Sequence, residues 1–251
     1  MLDLSIVKPR SLVGRALRAP LSVIPRSAEV RVLQGPLRGK RWIAGASIHR
    51  CWLGFYEPGK QKKIAECVRP GMTCYDLGAN VGFYTLLFSF LTGPEGLVVA
   101  FEPVPENVDL IRCHANMNDC RNIRVESLAL SNIDGTANFL FDESSNSTGR
   151  LCEEGSVQVQ SRRLDTWIAE TGVPPPNIVK VDVEGAEASV LEGAACTVLR
   201  ARPAVFLAVH NQDQHAACCE WLRCHDYDIS SLDGKSAEQA DELLALPRKR
   251  N

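Results

Sequence analysis

The sequence predicts an α/β fold: a mostly parallel central sheet with helices on both faces. Three observations lead there. Short apolar runs alternate with amphipathic, helix-period segments from residue 73 to residue 224. Such an alternation builds parallel strands joined by crossover helices, with the sheet covered on both sides. The first strand runs directly into a glycine turn and a helix, Tyr75-Asp76-Leu77-Gly78-Ala79-Asn80-Val81-Gly82-Phe83-Tyr84, at the strand end where open α/β sheets bind ligands.

Taken in order, residues 1–29 form an N-terminal extension in which Pro9, Pro20 and Pro25 interrupt any helix. Residues 30–235 form one Rossmann-like domain, with a hairpin and lid over 30–60 and a core over 61–235. The hairpin pairs 30–33 with 41–44 around Gly35, Pro36 and Gly39. A helix over 60–67 stops at Pro70 and Gly71. Strands are expected at 73–77, 98–101, 123–126, 178–181 and 205–209, and helices at 82–91, 107–117, 186–191 and 215–224. An extra pair of short strands, 137–141 and 157–161, flanks a polar loop over 142–149. Residues 236–251 are expected as a tail, solvated beyond Leu246 where Pro247, Arg248, Lys249 and Arg250 follow.

Bulk properties narrow the function. With 251 residues, 45% hydrophobic content and a formal charge of −2, the chain can bury a full core and carries no net basic footprint for nucleic acid. No apolar stretch approaches the roughly 18 to 20 residues that span a bilayer, so no membrane span is expected. Ten cysteines without a Cys-x-x-Cys pair and without an apolar leader read as reduced thiols in a cytoplasmic protein. The basic residues Lys8, Arg10, Arg15, Arg18 and Arg26 read as a lead-in, through which a homodimer could form.

The glycine turn and Glu102 together point to a nucleoside. Gly78 and Gly82 let a ligand approach the backbone, and Glu102, after the second strand, can accept hydrogen bonds from both ribose hydroxyls. A dinucleotide fingerprint needs glycine where Asn80 stands, which disfavours a nicotinamide oxidoreductase. Asp76 sets a negative charge beside the turn, suiting the ammonium and sulfonium of S-adenosylmethionine better than a pyrophosphate.

Several blocks carry a resemblance: residues 76–82, Phe101-Glu102-Pro103, Ala129-Leu130-Ser131, Leu164-Asp165 and Lys180-Val181-Asp182-Val183-Glu184-Gly185-Ala186-Glu187. As a set, over roughly residues 30–230, the sequence resembles the FkbM family of methyltransferases. The resemblance implies a class I methyltransferase sheet, S-adenosylmethionine as donor and O-methylation of a natural product or sugar. Carried over by position, it implies a donor site made of Asp76, Gly78, Asn80, Gly82, Glu102, Pro103 and Asp182, with Ser127, Leu128 and Ala129 near the adenine.

Methyl transfer is an in-line displacement, so the chain has to position an acceptor and take up its proton. The groups able to do so are Asp182, Glu184 and Glu187 after the fourth parallel strand, and His210-Asn211 after the fifth. His210 is the expected general base, with Asp182 and Glu184 beside it. The alternatives are a magnesium site of Asp182, His210 and Asn211, an amine acceptor, and a nucleoside-binding protein without catalysis. Trp52, Phe55, Tyr56 and Glu57 read either as a lid over the donor site or as an anchor for the hairpin. His215, Cys218, Cys219, Cys224 and His225 lack the paired spacing of a zinc site and read as core and surface residues.

Overall fold

The computed structural model describes residues 21, 23–141, 149–151, 155, 157–232 and 234–249. The extension over 1–20 and the polar loop over 142–148, with the dimer arm and substrate-closing role expected of them, lie outside the described residues.

Five strands run parallel: β3 (Thr73–Leu77), β4 (Leu97–Phe101), β5 (Ile123–Glu126), β10 (Ile178–Val181) and β11 (Ala204–Ala208). They match the expected apolar runs to within a residue at each end. With β12 (Tyr227–Ser231) and β13 (Glu242–Pro247) they form a seven-stranded sheet in the order β12-β13-β11-β10-β3-β4-β5. The order reverses at β3, the switch point at which doubly wound sheets open a crevice.

The expected tail is a correction. β13 inserts between β11 and β12, antiparallel to both, and Leu243, Leu244 and Ala245 are buried. A strand with sheet on both sides and both faces covered needs an apolar run, and Leu-Leu-Ala-Leu supplies one ahead of the basic end.

Alternation along the strands divides the core. Tyr75, Leu77, Val99, Phe101, Val181 and Leu207 face α5 (Leu164–Thr171), α6 (Glu187–Gly193), α7 (Ala195–Ala201) and α8 (Gln212–Cys224). Cys74, Val98, Ile178 and Phe206 face the other way, onto α2 (Pro58–Cys67) and α3 (Phe83–Thr92). Ala100 on that second face meets Ile111 of α4 (Pro105–Met117). Cys218 and Cys219 are core residues of α8, and the described cysteines are free thiols.

The hairpin forms as β1 (Glu29–Arg31) and β2 (Arg41–Ile43), antiparallel. His114 of α4 fastens it to the glycine turn: Nδ1 lies 2.9 Å from the Val81 carbonyl, and Nε2 accepts from the Ile43 N–H at 3.2 Å. Burial keeps this imidazole neutral by lowering its pKa to about 4, and its ring stacks on Trp42. A smaller sheet in the order β6-β9-β7-β8 holds β7 (Gly135–Phe141) and β9 (Val157–Arg162), the expected extra pair, with β6 (Ala129–Leu130) and β8 (Gly149–Leu151) beside them.

Candidate active site

A cavity of about 260 Å³ opens at the carboxyl ends of β3, β4 and β10. Gly78, Ala79 and Asn80 of the glycine turn, Glu102 and Pro103 after β4, and Leu128 to Leu130 line one side. Asp182, Val183 and Glu184 after β10 line the other, and Ser47, Ile48, Cys51 and Tyr56 cover it.

Gly78 is required by a close approach. Its φ is +74°, and a Cβ there would fall 1.9 Å from the Asp182 carbonyl oxygen. Asn80 also has positive φ, and its backbone N–H donates to Glu102 Oε2 at 2.8 Å. Glu102 Oε1 accepts from the Val104 N–H at 3.0 Å and from Asn107 Nδ2 at 3.2 Å. Burial raises the Glu102 carboxyl to about 7, against the pull of these donors.

Beneath the turn lies a buried ion pair that the sequence did not announce. Lys180, fully enclosed, donates to the Gly78 carbonyl at 3.0 Å and pairs with Asp76 Oδ1 at 3.0 Å and Asp182 Oδ2 at 3.5 Å. Burial works against the ammonium, but Asp76 and Asp182 outweigh it and hold the lysine charged. Asp76 also accepts from Thr85 Oγ1 at 2.6 Å. Its charge is therefore spent inside the fold and does not face the cavity. Gly82, at the start of α3 with its Cα packed on Ile111, and the exposed Ser127 also lie off the cavity wall.

The strand ends of β10 and β11 bring Asp182, Glu184 and His210 together. His210 Nε2 lies 3.5 Å from Asp182 Oδ1 and 3.3 Å from Glu184 Oε2, while Nδ1 is 2.8 Å from Oε1 of the buried Glu187. The hydrogen bond to Glu187 raises His210 to about 9, burial opposes this, and Asp182 and Glu184 add to it. Burial opposes ionisation of Asp182 too, but Lys180, Lys60 and His210 hold its pKa below the usual carboxylate range. Asn211 stands apart: its Oδ1 caps α8 by accepting from the Gln214 N–H at 2.9 Å. The compact trio is thus Asp182, Glu184 and His210, whose ligand atoms lie within 4.8 Å of one another.

The aromatic segment divides between the core and the cavity wall. Trp52 of α1 (Arg50–Leu53) is buried among the hairpin and α3, whereas Cys51 and Tyr56 face the cavity. Glu57, in a left-handed conformation, accepts from Tyr84 Oη at 2.6 Å and pairs with the buried Lys60 at 3.3 Å. Lys60 reaches Glu242 of β13 at 2.7 Å, so the cover, α2 and the last strand share one charge network.

A doubly wound sheet with a reversed strand beside its edge, a glycine turn and a carboxylate after the second strand defines a class I methyltransferase fold. The sequence model of the methyltransferase FkbM domain matches residues 76–229, and the chain belongs to that family. It is similar to the 2-O-methyltransferase NoeI of Sinorhizobium fredii, 27% identical over 168 residues that cover 58% of this chain and 65% of NoeI. It is also similar to the hexuronic acid methyltransferase AglP of Haloferax volcanii, 32% identical over 120 residues covering 47% of this chain and 48% of AglP. The chain thus spans less than two thirds of the length of each of these relatives. A solved methyltransferase FkbM from Methylobacillus flagellatus superposes with a TM-score of 0.49 at 17% identity, over 75% of this chain and 50% of that one. No helix among the described residues is long and apolar enough to cross a membrane.

Proposed function

We propose that this protein moves a methyl group from S-adenosylmethionine to a hydroxyl oxygen of a small molecule, a sugar or another natural product. The observation that carries the proposal is the cavity itself, which has Glu102 on one side of β3 and, on the other, Asp182 and Glu184, whose carboxylates hold His210 beside the cavity wall. The donor's nucleoside fits the first side: Glu102 keeps lone pairs for ribose hydroxyls, and a Cβ at Gly78 would close the cradle where the backbone must be approached. When bound, the donor supplies an electrophilic methyl group on a sulfonium. Ser47, Ile48, Cys51 and Tyr56 shield the transfer point from water.

At the second side the acceptor hydroxyl donates its hydrogen bond to His210 Nε2 and passes its proton there as the oxygen takes the methyl group. Glu187 fixes the ring so that Nε2 faces Asp182 and Glu184. At pH 7, about one molecule in a hundred has this nitrogen free, because the ring holds its proton up to about 9. The 2-O-methyltransferase among the relatives supports transfer to an oxygen, and the hexuronic acid methyltransferase supports a sugar-type acceptor.

Calorimetric titration with S-adenosylmethionine, S-adenosylhomocysteine and NAD tests the donor site. The expected result is binding of the first two alone, weakened at least tenfold by Glu102→Ala; binding of NAD alone overturns the proposal.

A further inference from the structure

The cover over the cavity, residues 47–56, is tied at both ends to the stretch that follows Gly78. Its first end is bound to the hairpin: the Leu33 N–H donates to the Trp52 carbonyl at 2.9 Å, and Gln34 Nε2 donates to the Leu53 carbonyl at 3.1 Å. The hairpin in turn reaches the Val81 carbonyl through His114. The second end, which carries Tyr56 into the cavity wall, is held by side chains. Gln61 Nε2 donates to the Tyr56 carbonyl, and the Tyr56 ring meets Phe83 edge to face with centroids 5.1 Å apart. Glu57 Oε2 accepts from Tyr84 Oη at 2.6 Å and lies 3.3 Å from Lys60 Nζ.

These links cross at Glu57. Tyr84 lines the donor cavity from the first turn of α3. Lys60, only 2% exposed, also pairs with Glu242 at 2.7 Å, and Glu242 is the register partner of Ala208, the residue that ends β11 just before His210. One carboxylate thus joins the cover to the donor cradle and, through Lys60, to the strand beside the acceptor groups. A hydroxyl donating to a carboxylate at this distance makes a charge-assisted bond, about twice as strong as a neutral one. Glu57 does not itself line the cavity, so it acts through Tyr56 and Tyr84 rather than by touching a ligand.

We propose that Glu57 is a positioning residue of the donor site: its bonds to Tyr84 and Lys60 hold the cover shut, and donor and product exchange when the Glu57–Tyr84 link opens. The inference rests on the donor site proposed above and adds what controls its occupancy. Release of S-adenosylhomocysteine then waits on the cover, as product release waits on lids in many enzymes.

The experiment pairs stopped-flow displacement of S-adenosylhomocysteine with hydrogen exchange of the cover. Glu57→Ala is expected to speed dissociation about tenfold, the effect of losing one hydrogen bond to a charged group. The Cys51, Leu53, Gly54 and Phe55 N–H groups, all bonded to carbonyls within the cover, should exchange faster by a similar factor while those of β3 stay unchanged. A merely structural role would move both sets together. Lys60 keeps Glu242 in this variant, so no buried charge is left uncompensated and the protein should fold. If it does not, Tyr84→Phe removes the same hydrogen bond and carries the same expectation. Native rates of dissociation and of cover exchange in the variant overturn the inference, and so does equal acceleration of exchange in β3. If the native protein fails to bind S-adenosylhomocysteine, the donor site falls; hydrogen exchange of the free variant against the free native protein still decides whether Glu57 holds the cover.

Discussion

Lys180 and Asp76 are register partners on adjacent parallel strands, and their side chains meet at 3.0 Å beneath the glycine turn. The pair lies on the face covered by α2 and α3, out of water, and Lys180 also holds the Gly78 carbonyl. Removing one member leaves the other as an uncompensated buried charge. Lys180→Met is therefore expected to destabilise the protein by about 3–5 kcal/mol, measured by urea unfolding. Lys180→Met/Asp76→Leu should recover part of that loss, because it removes both charges.

Gly78 and the Asp182 carbonyl oxygen leave no room for a side chain between β3 and β10. Gly78→Ala is expected to displace the turn and abolish donor binding, read as loss of the calorimetric signal with S-adenosylhomocysteine. Gly172, also at positive φ but with open space around it, serves as the control, and Gly172→Ala should bind normally.

Glu102 predicts a trade between stability and binding. Its folded-state pKa of about 7 lies above the ordinary 4.5, so its contribution to stability is fully present below pH 4.5 and is lost as pH rises through about 7. At pH 8, Glu102→Gln in the free protein is expected to unfold at higher urea, by up to about 3 kcal/mol. The same variant should bind S-adenosylhomocysteine at least tenfold more weakly.

His210 predicts a pH profile. With its proton retained up to about 9, the rate of methyl transfer should rise about tenfold per pH unit from 7 and level off near 9. The hydrogen bond that His210 donates to Glu187 is the largest cause of the elevation, so Glu187→Gln should move the plateau to lower pH. A flat profile from pH 7 to 9 would remove His210 from the role of base.

Much of the donor side was legible before folding, because its signals are local. Gly78, Asn80 and Glu102 lie in or directly after strands whose apolar runs are unmistakable, and all three line the cavity. The acceptor cluster was legible for the same reason: Asp182, Glu184 and His210 all follow strand ends. Asp76 was misplaced because its partner is distant in sequence. An acid beside a glycine turn looks ligand-facing until strand order sets Lys180 next to it. Asn211 was counted with His210, but a polar residue directly before a helix is also a natural cap, and it is bound that way. The contribution of Lys60 had no local signal, since a lysine on a polar helix reads as solvated unless the strand that covers it, β13, is known.

The inserted position of β13 gives the molecule an order of assembly. β11, which leads to His210, gains its second neighbour only when β13 enters the sheet, and the Val209 N–H then finds the Asp241 carbonyl at 2.9 Å. During synthesis β3, β4, β5 and β10, which lie earlier in the sequence, can pair while β11 still has an open edge. The glycine turn and the wall around Glu102 can thus take shape before the edge that carries His210 is sealed.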